Sequence, residues 1–246
     1  MTYHFSTIGF VFKKENKSEA DQLFSIYTKD FGRLEILGKG IRKITAKLRS
    51  KIDLFYIISF RFVQGKTNKI LIEAKVLKKF NQFKENLQKL QVAFKMIEIL
   101  DKTLAKEEKD ERIFKLILEC FQTLEKMEDN LLKIKLIYYY FFWNLLSFLG
   151  YKPQLSFCVN CQRKILPLKT ISFCPSEGGI VCNFCVKKFK NCIPISLNEL
   201  KILKLLLEKR LNFVLKLRIN TFFLSKLSKI SKAYFSNFVE KYEQNL

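Results

Sequence analysis

The sequence is poor in the residues from which most active sites are built. It has one histidine, His4, near the amino terminus, where a place on a strand surface is a better expectation than a role as general base. No GxGxxG, P-loop or GxSxG stretch occurs, so neither a nucleotide cradle nor a nucleophile elbow is visible. The opening residues, MTYHFSTIGFVFKKENK, lack a basic start followed by an apolar core. No secretory signal is therefore expected, and the compartment to expect is the reducing cytoplasm. Long apolar runs are missing too. The longest uncharged stretch, Leu136 to Gly150, would span about 22 Å as a helix against a hydrocarbon core of about 30 Å, and Asn144 and Ser147 interrupt it. A helix buried in a bundle fits better than a membrane span.

Acids are scarce: 23 Asp and Glu face 45 Lys and Arg, a net charge of +22. Such an excess favours polyanionic partners, nucleic acid before an anionic membrane surface. Lysine is abundant throughout, so clustering has to supply the specificity. What is present otherwise is ample apolar material, 48% of 246 residues, enough for one large domain or two to three small ones.

Along the chain, five short strands are expected in YHFSTIGFVFKK, DQLFSIYTK, FGRLEILGKG, LFYIISFRFVQ and KILIEAKVLK, with QGKTNK (64–69) as a hairpin connection. Five strands in about 80 residues suit a small antiparallel barrel whose closure removes exposed edges, with an OB-type barrel as the obvious candidate and a small open sheet as the alternative. After Asn81 the period becomes helical. Phe83, Leu87, Leu90, Phe94 and Ile97 are predicted to share one helix face, and Leu116, Ile117, Cys120, Phe121 and Leu124 another, with Cys120 as a packing residue. A third helix, Leu131 to Leu149, is apolar nearly all round and stops near Gly150 and Pro153. Ser196 with Glu199 forms a capping-box signature for a helix starting near Leu197. A last helix places Tyr234, Phe235, Phe238, Val239 and Tyr242 on one side. The expected class is α+β: a barrel in residues 1–79, a helical domain in 80–155 and 190–246, and a finger inserted at 156–189.

The finger carries the strongest chemical signal. Cys158 with Cys161, and Cys182 with Cys185, form two CxxC pairs at the spacing of a four-thiolate zinc site, because each two-residue gap lets one tight turn aim both sulfurs at a tetrahedral ion. Gly178 and Gly179 are expected to supply positive-φ backbone before the second pair. Cys174 is the rival ligand. It is left out, as is Cys192, and both are expected to pack. Seven cysteines in a reducing compartment argue against a disulfide framework. A site closed by four thiolates has no open position, so one zinc ion there would brace the fold and perform no chemistry.

The charge cluster lies between the third and fourth strands. GKGIRKITAKLRSKIDLF holds Lys39, Arg42, Lys43, Lys47, Arg49 and Lys51 with no acid until Asp53, a mobile positive surface suited to DNA phosphates. Aromatics nearby, among them Tyr27, Phe31 and Tyr56, are not assigned to base stacking, because 25 phenylalanines and 9 tyrosines mostly fill cores.

With SEADQLFSIYTKDFGRLEILGKGIRK near the start, the basic loop, the helical middle, and CVNC with GGIVCNFC inside it, the chain resembles the RecO family of bacterial recombination and repair mediators. It differs at Ile44, Thr45 and Ala46, where that family tends to carry proline, a basic residue and serine. The resemblance implies an OB barrel followed by a helical domain with a zinc finger. It also implies a non-enzymatic cytoplasmic, nucleoid-associated protein that binds single- and double-stranded DNA and works with RecR. Such proteins act on strands coated by single-stranded-DNA-binding protein (SSB), help to load the RecA recombinase and anneal complementary strands. The alternative is an adaptor that docks SSB tails and RecR with only incidental DNA contact. No membrane partner is expected.

Overall fold

A computed structural model describes residues 4–166, 168 and 170–243, with side chains to residue 240. Tyr3 and the side chain of Tyr242, both used in the expectations above, lie outside the described residues. The chain forms two compact units, Met1–Lys126 and Met127–Leu246. Strands come first and helices after them, a mixed α+β architecture.

The first unit opens with five strands: β1 (His4–Asn16), β2 (Gln22–Thr28), β3 (Gly32–Gly38), β4 (Tyr56–Gln64) and β5 (Lys69–Lys79). They form a closed barrel in the order β1-β2-β3-β5-β4, antiparallel except at the β3–β5 seam. That seam is short, with Ile36 opposite Lys69 and Leu37 opposite Ile70. Alternation explains the interior: Phe24, Ile26, Leu34, Ile36, Ile58, Phe60 and Phe62 point inward from neighbouring strands into one apolar cluster. Two helices complete the unit, α1 (Leu87–Thr103) and α2 (Glu111–Lys126). They pack with the barrel: Arg33 of β3 donates to the Asp101 carboxylate at 2.7 Å and its backbone carbonyl at 2.8 Å, and Phe121 lies 4.6 Å from Phe10 between ring centroids. The packing boundary thus falls after Lys126, whereas the backbone changes from strand to helix near residue 80.

The apolar face of α2 is the expected one, with Leu116, Ile117, Cys120, Phe121 and Leu124 buried. Burial pushes the Cys120 thiol well up, as befits a packing residue. The face of α1 differs from expectation. Leu87 is 69% exposed and Phe94 46%, while Val92, Ala93, Met96, Ile97, Ile99 and Leu100 are buried. Asn86 caps α1 by accepting from the Lys89 amide, and Phe83, which is buried, sits in a separate 3-10 turn before that cap. Within α1 the buried arc centres on Ala93, Met96 and Leu100, and Leu87 and Phe94 fall outside it.

The second unit contains α3 (Leu131–Phe148), a three-stranded sheet, α4 (Leu197–Glu208), α5 (Leu211–Val214) and α6 (Thr221–Glu243). Helix α3 is apolar nearly all round beyond its exposed Lys133 and Lys135, and it buries eleven residues, from Ile134 to Leu146. Its one buried amide, Asn144, donates to the carbonyls of Tyr140 and Leu206 at 2.8 and 2.9 Å, tying α3 to α4. Gly150, with φ +92°, closes α3, and the Tyr151 amide donates back to Leu146. Ser196 and Glu199 make both bonds of a capping box at the start of α4. Tyr234 and Phe238 of α6 are buried. Among the described residues no helix is long and apolar enough to cross a membrane.

Strands β6 (Ile171–Cys174), β7 (Gly179–Cys182) and β8 (Ile193–Ile195) form a sheet in the order β7-β6-β8. Phe173 opposes Ile193, so the next step of the same antiparallel register sets Cys174 opposite Cys192. Their Cα atoms are 4.2 Å apart and the sulfurs are joined as a disulfide. The expectation that both merely pack is corrected by this pairing, for which the register supplies the proximity.

Candidate functional site

The basic segment is a string of tight turns. Amides of Lys43, Ala46, Arg49 and Lys51 donate to the carbonyls of Gly40, Lys43, Ala46 and Leu48, at 2.9 to 3.1 Å. Its ends are anchored by apolar burial: Ile41 and Ile52 belong to the barrel cluster, and Leu48 packs against it. Gly40, with φ +63°, allows the entry turn, and its amide donates to the Asp21 carboxylate at 2.7 Å. The segment is thus held to the barrel at both ends and along its length.

Lys39, Arg42, Lys43, Lys47, Arg49 and Lys51 are all exposed. Among the described residues none of the six forms an ion pair, whereas Lys13, Lys14, Arg33, Arg61 and Lys69 of the barrel are each paired with a carboxylate. Arg42 is partly committed, since it donates to the Ser18 carbonyl at 2.9 Å and its amide to Ala20. At the tip, Ile44 is 92% exposed. Under the segment lies a cavity of about 390 Å³ with Phe24, Ile41 and Ile52 as its apolar wall and Lys14, Arg42, Arg49, Glu19 and Asp53 among its polar groups. An array of unpaired cations at fixed spacing can do one thing well: it can accept phosphates without first breaking internal ion pairs.

The aromatics near this surface are structural. Tyr27 is buried, its hydroxyl donating to the Asp110 carbonyl and accepting from the Asp110 amide, and burial pushes its pKa up to about 12. Phe31 and Tyr56 pack against the barrel cluster. His4 is exposed on β1, paired across the ladder with Val63.

The second unit brings Cys158, Cys161, Cys182 and Cys185 together, with all four sulfurs within 4.8 Å of one another. The first pair sits on a turn in which the Gln162 amide donates to Cys158 and the Cys158 amide to Arg163. The second pair sits at the end of β7, where the Cys185 amide donates to Cys182. Glycine serves here in two ways. Gly178 has φ +68°, as expected, but Gly179 has ordinary backbone; a Cβ there would stand 2.5 Å from the Gln154 carbonyl. Close approach, not positive φ, is what requires glycine at 179.

Sulfurs around a tetrahedral ion at about 2.3 Å stand about 3.8 Å apart. The Cys161 and Cys182 sulfurs are 3.8 Å apart, so the set fits such an ion. Burial pushes the Cys158 thiol up, but amides of Cys161, Cys182 and Asn160 outweigh it and bring the thiol down to about 6. The Asn160 side chain donates to the Cys185 sulfur at 3.2 Å and favours its thiolate, yet burial and the neighbouring sulfurs leave that thiol at about 11. Four sulfurs this close cannot all carry charge unless a cation sits among them, and together they can hold a metal ion. Cys174 and Cys192, in their disulfide, are not in the cluster. Asn160 was not anticipated; its place between the cysteines of CVNC is the signal that could have marked it as a support for sulfur.

A barrel that displays exposed cations, unpaired among the described residues, is followed by a helical unit whose four clustered cysteines could hold a metal ion. Two family models divide the chain along its length: "Recombination protein O N terminal" matches residues 1–80 and "Recombination protein O C terminal" matches residues 84–245. The chain belongs to the recombination protein O, or RecO, family. A DNA repair protein RecO of Dehalococcoides mccartyi is 31% identical over 239 residues, 97% of this chain and 92% of the relative. Those of Acetivibrio thermocellus and a Roseiflexus species are each 26% identical, over 97% and 98% of this chain and 93% and 83% of the relatives.

Proposed function

We propose that this chain is a non-catalytic DNA-binding mediator of recombinational repair that helps to load recombinase on SSB-coated single strands, with RecR as partner, and anneals complementary strands. The relatives' names support repair as the setting. The observation that carries the binding mode is the set of six exposed cations, unpaired among the described residues, on the turns between β3 and β4. Each phosphate they neutralise releases condensed counterions, so affinity is independent of sequence and falls with salt. Annealing follows from the same physics: cations that neutralise both strands lower the repulsion that opposes pairing.

The strand order β1-β2-β3-β5-β4 supports reading the barrel as OB-type, a fold suited to presenting such a surface. The four cysteines support one structural zinc ion held by Cys158, Cys161, Cys182 and Cys185. Zinc closed in by four thiolates supplies folding free energy, and the chain's own part is to present the sulfurs as thiolates, helped by the amides around Cys158.

The test is to titrate single- and double-stranded oligonucleotides over a range of salt and to follow annealing in the same samples. Log affinity should fall linearly with log salt, with a slope of about −0.9 per duplex phosphate and about −0.7 per single-strand phosphate contacted. A chain that ignores both oligonucleotides at low salt would overturn the reading.

A further inference from the structure

The turn that carries the second cysteine pair reads Cys182-Asn183-Phe184-Cys185, and Phe184 is 66% exposed. A single exposed ring is ordinary on a protein surface. This one is mounted unusually. The cysteines on either side are cluster members, the Cys185 amide donates to Cys182 at 3.1 Å, and the Lys188 amide donates to Cys185 at 3.0 Å. The ring therefore stands on a turn whose backbone is tied down before and after it.

A cation is mounted against it from the other cysteine pair. The Arg163 guanidinium lies 4.8 Å from the Phe184 ring centroid, and the Arg163 carbonyl accepts from the Cys158 amide at 2.9 Å. Asn160 links the two turns through its bond to the Cys185 sulfur. Ring and guanidinium thus form a preorganised pair on two turns joined at the sulfur cluster.

The surroundings are cationic. From Cys158 to Ile195 the sequence has Arg163, Lys164, Lys169, Lys187, Lys188 and Lys190 against one acid, Glu177. Arg163, Lys164, Lys187, Lys188 and Lys190 are exposed, and among the described residues none of these five is in an ion pair. An exposed π face under a guanidinium, in a segment that carries exposed lysines, matches the chemistry of an unpaired base on its phosphate backbone. Duplex DNA keeps its base faces stacked internally and offers this ring nothing.

We infer that Phe184 with Arg163 forms a second nucleic-acid contact, a stacking platform for a base of single-stranded DNA, with Lys187 and Lys188 on its phosphates. This inference rests on the DNA-binding reading above and adds to it a strand-selective site on the second unit. The basic turns of the barrel accept phosphates of either form, and the platform accepts only the single strand.

The test uses the full metal-loaded chain with Phe184→Ala and Phe184→Trp, and measures affinity for a single-stranded oligonucleotide and for the same sequence as a duplex. Phe184→Ala should weaken single-strand binding by about 5- to 150-fold, the range for loss of one base–aromatic stack, and leave duplex binding unchanged. Metal content equal to the parent shows that the turn is intact. Phe184→Trp should retain single-strand affinity, and its emission should be quenched by single strand and not by duplex; the other tryptophan, Trp143, is buried. An unchanged single-strand affinity in Phe184→Ala, or an unquenched tryptophan, overturns the inference. If the parent chain binds oligonucleotide in that case, the DNA-binding reading survives. If the parent binds neither form, both fall. Loss of affinity for an acidic peptide without loss for single strand would assign the platform to protein and also overturn the inference.

Discussion

The basic turns of the barrel and the cysteine turns of the second unit both display cations that, among the described residues, find no carboxylate, yet they are held in shape by different means. The barrel turns hang between Ile41 and Ile52, which are buried in the apolar cluster, so ordinary hydrophobic burial fixes their ends. The cysteine turns are joined through four sulfurs within 4.8 Å of one another. Apolar support exists there as well, from Ile165, Phe173, Ile180 and Val181, and the turns also meet where the Arg163 guanidinium lies over the Phe184 ring. The comparison separates charge from support. On this comparison, the cations of the barrel turns should be expendable to the fold and the sulfurs of the cysteine turns should not.

The sharpest break would come from the sulfurs. Changing Cys158 and Cys161 together to Ala should abolish the bound metal, seen by elemental analysis, and remove folding free energy that for structural zinc is about 10 kcal/mol or more. The second unit should lose its cooperative melting while duplex binding by the barrel persists. Loss of duplex binding as well would show that the two supports are not independent. Next in size, replacing Arg42, Lys43, Lys47 and Arg49 together by Ala should make the salt slope shallower by about 3 without changing the melting temperature. An unchanged slope would remove these turns from the binding surface.

A smaller effect concerns how the barrel's helices are tied to it. Tyr27 is held up at about 12 by burial, against about 10 in an unfolded chain. Its contribution is complete below pH 10. From there to pH 12 the unfolded chain releases a proton that the folded chain keeps, so stability falls at about 1.4 kcal/mol per pH unit. Tyr27→Phe loses the Asp110 bonds at neutral pH but escapes that decline, so the stability gap between the two proteins should narrow over this range in urea titrations. A constant gap would show that the hydroxyl does not titrate there. Smallest is the cap of α4. Ser196→Ala should cost about 1 kcal/mol in the second unit and leave metal content and DNA affinity untouched.

Local signals in the sequence were good guides where the structure is local. The five barrel strands ended within about two residues of their expected limits, because period-two alternation and flanking turn residues act within a few positions, whereas the three short strands of the second unit were not anticipated. The Ser196–Glu199 box lies where its spacing places it, since both bonds close inside one turn. The face of α1 was misplaced because its buried arc, centred on Ala93, Met96 and Leu100, is set by what the helix packs against and not by the spacing of its bulkiest apolar residues. The requirement for glycine at 179 was misread because the atom that forbids a Cβ, the Gln154 carbonyl, is far away in the chain. The Cys174–Cys192 disulfide was invisible for the same kind of reason: it depends on the pairing of β6 with β8.

By itself, then, the sequence determined the five barrel strands and the longer helices in their order, the two cysteine pairs and the run of cations, all of which are properties of neighbouring residues. Only the tertiary structure decided which charges stay unpaired, which glycine must yield to a distant backbone, and that Phe184 stands in solvent under Arg163. Those outcomes depend on groups remote in the chain, and the free energy that brings such groups together comes from packing and register, which no short stretch encodes alone.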